Sequence, residues 1–149
     1  MAGATIAVAS DHAGFDLKEV LKRDLKAAGH DVLDLGTNST ASVDYPDFGQ
    51  AMGEAIASGK AERGVLVCGS GIGISIAANR NPKVRAALAH DIVSARLSRE
   101  HNDANVVAFG QRLIDVEIAR EALKVFLATP FEGGRHAGRV AKLSKNKVT

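Results

Sequence analysis

Short apolar runs alternate with segments of helical period from one end of the chain to the other, and this alternation restricts the fold most. Residues 5–9 (TIAVA) are short and β-branched, and read as a buried strand. From Phe15 to Ala28, apolar side chains recur at helical spacing and stop at Gly29, which suits the position just past a helix. Residues 32–35 read as a second strand, residues 37–43 as a polar loop, and Asp44-Tyr45-Pro46 as a helix start with proline in the first turn of a helix running to about Ser58. Further strands are expected at residues 65–68, 84–89 and 106–109. Helices are expected over 72–79, 91–100 and 115–128, the last capped by Asp115 and followed by Pro130, with a final helix from about Gly134.

Strands alternating with helices imply βαβ units, a parallel sheet and right-handed crossovers. The expected fold is α/β: a three-layer α/β/α sandwich, Rossmann-like or flavodoxin-like, around a five-stranded parallel sheet. At 149 residues the chain suits a single domain over 1–149, large enough to need no disulfide or metal. Hydrophobic content of 46% with 24% charged residues argues against disorder. One cysteine excludes a disulfide framework. The opening MAGATIAVAS lacks a basic n-region and no apolar run approaches ~18 residues, so a soluble cytoplasmic protein without signal peptide or membrane span is expected.

The net charge of +2 is unevenly spread. After Glu132 no acidic residue occurs, while Arg135, Arg139, Lys142, Lys145 and Lys147 supply five of the nineteen basic groups. Residues 1–132 therefore hold fourteen basic against seventeen acidic groups, a net of −3. Such a tail is either a solvated end or a device for an anionic substrate. Nucleic acid is a poor partner for it, because the body is acidic and the chain has no tryptophan and one tyrosine to stack on bases.

In doubly wound sheets ligands sit beyond the carboxyl ends of the strands, so the polar residues that follow each strand are the candidates. Cys68 ends an apolar strand and runs into Gly69-Ser70-Gly71-Ile72-Gly73, which opens a helix. Backbone N–H groups of such a turn form an anion nest, and the same field favours thiolate over thiol. A free cysteine is equally at home as a buried core residue. Ile74 stands where a Walker loop or a dinucleotide fingerprint needs glycine, so both motifs fail there. Asp11 and His12 follow the first strand, either as an acid/base couple or as a capping aspartate beside a bystander histidine.

The stretch Arg99-Glu100-His101-Asn102-Asp103-Ala104-Asn105 holds more polar groups than a helix end uses, and His101 is an acid/base candidate or a histidine at a favourable helix C-terminus. Arg112 follows the fifth strand, and Arg135 and Arg139 share a helix face. His12, His90, His101 and His136 lack metal-ligand spacing in sequence, so no metal is expected.

With Ser10-Asp11-His12-Ala13-Gly14, Asp44-Tyr45-Pro46, the loop after Cys68, the 99–105 stretch and Glu132-Gly133-Gly134-Arg135-His136 in this order, the chain resembles the type B ribose-5-phosphate isomerases and the related allose- and galactose-6-phosphate isomerase subunits. The resemblance covers nearly the whole length. It implies an aldose–ketose isomerase acting on D-ribose 5-phosphate and D-ribulose 5-phosphate, a homodimer or dimer of dimers, with no cofactor. It implies Cys68 as the proton-abstracting base, since the glutamate of the family's other branch falls at Ile74. It implies Ser70, His101 and Asp11 as further catalytic residues, and Gly69, Gly71, Ile72 and Gly73 as the loop holding the enediolate. His12, Arg112, Arg135 and Arg139 match phosphate-binding positions, and Tyr45 and Asn102 match positions lining the sugar. The basic segment from about 130 to 149 is expected to be helical and to touch the partner subunit. Two alternatives stay open: a six-carbon sugar phosphate as substrate, and a non-catalytic sugar-phosphate or nucleotide-binding module.

Overall fold

In the computed structural model, which describes residues 3–145, the alternation becomes a parallel sheet flanked by helices. The strands are β1 (Thr5–Ser10), β2 (Asp31–Asp34), β3 (Arg63–Cys68), β4 (Ala86–Leu88) and β5 (Val106–Gly110). The helices are α1 (Phe15–Ala27), α2 (Tyr45–Ala57), α3 (Ile72–Asn79), α4 (Ile92–Glu100), α5 (Val116–Ala128) and α6 (Arg135–Lys145), with a 3-10 turn at His12–Gly14 before α1. Lys147 lies outside the described residues.

The strands run in the order β2-β1-β3-β5-β4, and every neighbouring pair is parallel. Relative to the flavodoxin order 2-1-3-4-5, the last two strands are exchanged. The exchange makes β5 central, beside β3, and leaves β4 at the edge. The chain reverses its direction of winding between β1 and β3, which is where such sheets open a crevice.

Successive side chains of a strand point to opposite faces, and the two faces have different cores. Ile6 and Val8, Val65 and Val67, and Val107 and Phe109 meet Leu17, Leu21 and Leu25 of α1, Ala95 of α4, and Ala119, Leu123 and Phe126 of α5. Ala7 and Ala9, Leu66 and Cys68, and Val106 and Ala108 meet Met52 and Ala55 of α2 and Ile74 and Ala78 of α3. Residues with smaller side chains on this second face let α2 and α3 approach closely, and Cys68 belongs to it. Ile74 is fully buried there.

The helix starts carry the caps that the residue types suggest. Asp115 accepts from the N–H of Glu117 at 2.8 Å, and Asp91 and Ser94 form a capping box at α4. The fourth strand is shorter than residues 84–89 suggested, because it is an edge strand. On it the side chain of Asn79 accepts from the N–H of Ala86 at 2.8 Å and donates to its carbonyl at 2.9 Å, taking the place of a further strand. Helix α6 stands apart from both cores: His136 is its one buried residue among those described, and Arg135, Arg139 and Lys142 are exposed.

Candidate active site

Two clefts take up the candidate residues, apart from Gly71 and Arg135. The larger, of about 640 Å³, opens over the carboxyl ends of β1, β3 and β5 and is lined by Asp11, His12, Tyr45, Cys68, Gly69, Ser70, Ile72, Gly73 and Arg112 among others. The smaller, of about 300 Å³, is lined by His101, Asn102, His136, Arg139, Val140 and Leu143. The two share no lining residue.

In the larger cleft, Asp11 is buried and its Oδ1 accepts from the Gly14 N–H at 3.1 Å, so it does cap the 3-10 turn as well as face the cleft. The Val43 N–H donates to His12 Nδ1 at 3.1 Å. With Nδ1 as acceptor, a neutral His12 carries its proton on Nε2 and can offer it to an anion. Loop 37–43, which read only as polar, thus fixes a histidine tautomer.

Cys68 is buried, and the Gly71 N–H donates to its Sγ at 3.1 Å. Gly71 has φ +76, and a side chain there would run into Leu88 and the backbone at Phe109–Gly110; only glycine makes this turn without strain. The Ile72 N–H donates to Ser70 Oγ at 3.2 Å. Two of the amides expected to form the anion nest are therefore turned to the loop's own sulfur and hydroxyl.

Beyond β5, the N–H groups of Gln111 and Arg112 donate to the carbonyls of Cys68 and Gly69 at 2.9 and 3.0 Å, lacing the two loops together. A Cβ on Gly69 would lie 3.0 Å from Arg112 Nη1, so the guanidinium lies directly over that glycine. The Tyr45 ring in the first turn of α2 packs in the same way on Gly73. Ile72, Ile76 and Leu113, all exposed, give this cleft an apolar rim.

The smaller cleft lies at the other edge of the sheet. His101 caps the C-terminus of α4, which runs antiparallel to the strands, and residues 102–105 lead straight into the start of β5. Most of the polar stretch around His101 is structural. Arg99 is buried and donates to Asp103 Oδ1 at 2.8 Å, to the Ala104 carbonyl at 2.7 Å and to the Thr129 carbonyl at 3.2 Å. Arg85 binds Asp103 from the other side, which holds that residue at φ +47. Asn105 bridges to Arg85 and Lys83. His101 and Asn102 are left facing the cleft.

There the His101 ring stacks on His136, with centroids 4.4 Å apart. Burial holds His136 below the ordinary histidine range, and positive charge from His101, Arg135 and Arg139 adds to this against Glu132. Arg112, Arg135 and Arg139 form no ion pair among the described residues. Their guanidinium groups are free to take an anion. Arg135 lies at the start of α6 beside this second cleft but does not line it.

A strand-end crevice with a cysteine on a glycine-rich loop, an oriented histidine and an unpaired arginine is suited to moving protons on a small anionic substrate. Comparison with known proteins gives the class a family. The Ribose/Galactose Isomerase family model matches residues 6–143. The chain is 42% identical over 139 residues to ribose-5-phosphate isomerase B of Escherichia coli, covering 93% of each. It is 44% identical over 140 residues to the putative sugar phosphate isomerase YwlF of Bacillus subtilis, covering 93% of this chain and 94% of that one. The solved structure of a ribose 5-phosphate isomerase from Thermotoga maritima superposes with a TM-score of 0.94 at 48% identity, over 96% of this chain and 99% of the other. The chain belongs to the ribose/galactose isomerase family and is a sugar-phosphate isomerase. No helix among the described residues is long and apolar enough to cross a membrane.

Proposed function

We propose that the chain interconverts D-ribose 5-phosphate and D-ribulose 5-phosphate in the cytoplasm as a homodimer, each active site being built from the larger cleft of one subunit and the smaller cleft of the other. The observation that carries this reading is the placement of Cys68 and His101 in separate clefts at opposite ends of the strands. The exposed Ile72, Ile76 and Leu113 around one cleft and Leu143 in the other support the dimer, since apolar rims on two half-sites are what a symmetric contact buries.

His101 of one subunit, with Asp11 of the other, opens the furanose by moving a proton from the anomeric hydroxyl to the ring oxygen. The thiolate of Cys68 then takes the C2 proton. The electron pair moves toward the C1 carbonyl, giving a cis-enediolate, while Ser70 moves the hydroxyl proton between O2 and O1. Return of the proton at C1 completes the ketose, with no net redox change. Donors in the Gly69–Gly73 loop stabilise the charge on oxygen, and removal of one such donor costs about 2.7–4 kcal/mol in the barrier. His12, Arg112, Arg135 and Arg139 hold the phosphate, whose binding keeps the flexible open sugar in place.

The test is turnover of ribose 5-phosphate against allose 6-phosphate, together with deuterium incorporation at C2 in heavy water. Higher kcat/KM on the pentose with exchange lost in Cys68→Ala is the expected result. Preference for the hexose would move the substrate, and wild-type exchange in a folded Cys68→Ala protein would remove Cys68 as the base.

A further inference from the structure

We infer that His101, Glu132 and His136 form a binding site for one divalent transition-metal ion of the Zn²⁺ type. One ligand atom from each lies within 4.8 Å of the others. Glu132 Oε1 is 3.6 Å from His136 Nε2 and 3.9 Å from His101 Nε2, both too long for hydrogen bonds. His136 Nε2 is buried and has no hydrogen-bond partner, an unusual state for an imidazole nitrogen. Metal–nitrogen and metal–oxygen bonds of about 2.0–2.1 Å place tetrahedral ligands roughly 3.3 Å apart, so the two Glu132 pairs need to close by well under 1 Å and the two imidazoles by up to about 1.5 Å.

The groups that must move are the ones free to do so, since the side chains of Glu132 and His101 are 51% and 39% exposed. Their backbones are already clipped together. The Glu132 N–H donates to the Glu100 carbonyl at 3.1 Å, next to His101. Glu132 and His136 are four residues apart across the start of α6, where the His136 N–H donates to the Gly133 carbonyl at 3.0 Å. Histidine spacing along the sequence could not show this, because the third ligand comes from the end of α4.

Two imidazoles and one carboxylate suit zinc, cobalt, nickel or copper rather than magnesium or calcium, which prefer all-oxygen shells. Three protein ligands leave a fourth position open. Arg135 and Arg139 stand close enough to His136 to oppose a cation, so the site is weaker than a structural zinc centre. The ion is therefore an inhibitor rather than a cofactor, because it occupies the His101 nitrogen that would open the sugar ring. That consequence rests on the role of His101 proposed above, whereas binding itself does not.

Calorimetric titration of metal-stripped full-length protein with Zn²⁺ tests the binding, with Co²⁺ absorption as a second readout. One ion per chain is expected, with affinity falling about tenfold or more in Glu132→Gln and again in His136→Gln. Binding must persist in Cys68→Ser, since zinc also attacks thiolates. Equal Zn²⁺ affinity in wild type and both ligand variants, loss of binding with Cys68 alone, or no binding at all would overturn the site. Isomerase activity is then followed during the same titration. Inhibition reversed by EDTA, and shifted to higher Zn²⁺ in Glu132→Gln, supports both readings. Tight binding without inhibition keeps the metal site and removes His101 from the reaction.

Discussion

Cys68 closes β3 at the edge where the strands end, whereas His101 caps α4 at the edge where they begin. A strand of five residues separates these edges by roughly 15 Å, too far for both side chains of one chain to reach the same small sugar. If the site is shared, Cys68→Ala and His101→Ala should each be nearly inactive, and co-expression should restore activity. Random assortment makes half the dimers mixed, each with one whole site of two, so recovery to about a quarter of wild type is expected. Recovery no greater than the sum of the single variants would show that the site is not shared.

The larger cleft was nearly legible in the sequence because each of its parts follows a strand or starts a helix, and these boundaries are local. Cys68, the glycine loop, Asp11, His12 and Arg112 lie where strand-end reasoning put them, whereas Tyr45 read only as a helix start and its place beside the sugar came from the family resemblance. Their separation from His101 was not legible. It depends on which end of α4 faces which edge and on the exchange of β4 with β5, and both come from tertiary packing. The density of charge in residues 99–105 overstated the chemistry there, since Arg99, Asp103 and Asn105 hold a left-handed turn. The pair His101–His136 joins segments with no local signal between them.

Gly73→Ala isolates the role of Tyr45. Alanine is favoured over glycine inside a helix by about 1 kcal/mol, and the backbone of α3 needs no glycine geometry there. The new Cβ would stand 2.5 Å from Tyr45 Cε1, so the exposed ring must move away. The expected outcome is a stable protein with KM raised several-fold, and no further rise when Gly73→Ala is added to Tyr45→Ala. Additive effects in that cycle would mean that Gly73 acts on the substrate directly.

Arg139→Ala tests the phosphate assignment. Its guanidinium lines the smaller cleft without an ion pair among the described residues, so its removal leaves no carboxylate unpartnered. A hydrogen bond to a charged group contributes about 1.5–3 kcal/mol, which predicts KM about ten- to a hundredfold higher with kcat little changed. Steady-state kinetics on ribose 5-phosphate would show an unchanged KM if the arginine is merely solvated.

Arg99→Lys should damage the protein through the fold. The buried guanidinium serves three acceptors from two loops and lies over the Phe126 ring. An ammonium cannot reach all three in that geometry, leaving buried carbonyls unpaired at about 1–3 kcal/mol each. A denaturant midpoint close to that of wild type would contradict this account.

Acid stability should depend on the cluster that ties α1 to β2. Lys18 is almost fully buried, and its Nζ reaches Asp34 at 3.0 Å and Glu19 at 2.9 Å, while Lys22 reaches Asp34 at 2.8 Å. Burial alone would raise the pKa of Asp34, but Lys22, the Gly36 N–H and Lys18 outweigh it and hold the carboxyl below its usual range. Burial of Glu19 is likewise outweighed by Lys18 and Lys22. Both carboxylates therefore bind protons more readily in the unfolded chain. Their stabilisation is complete above the unfolded values near ~4 and is lost as pH falls through the lower folded values. Asp34→Asn should lower stability at neutral pH by about 1–3 kcal/mol and make the acid-side decline shallower than in wild type. Urea unfolding between neutral pH and the acid limb measures both, and parallel curves for the two proteins would show that Asp34 does not supply this dependence.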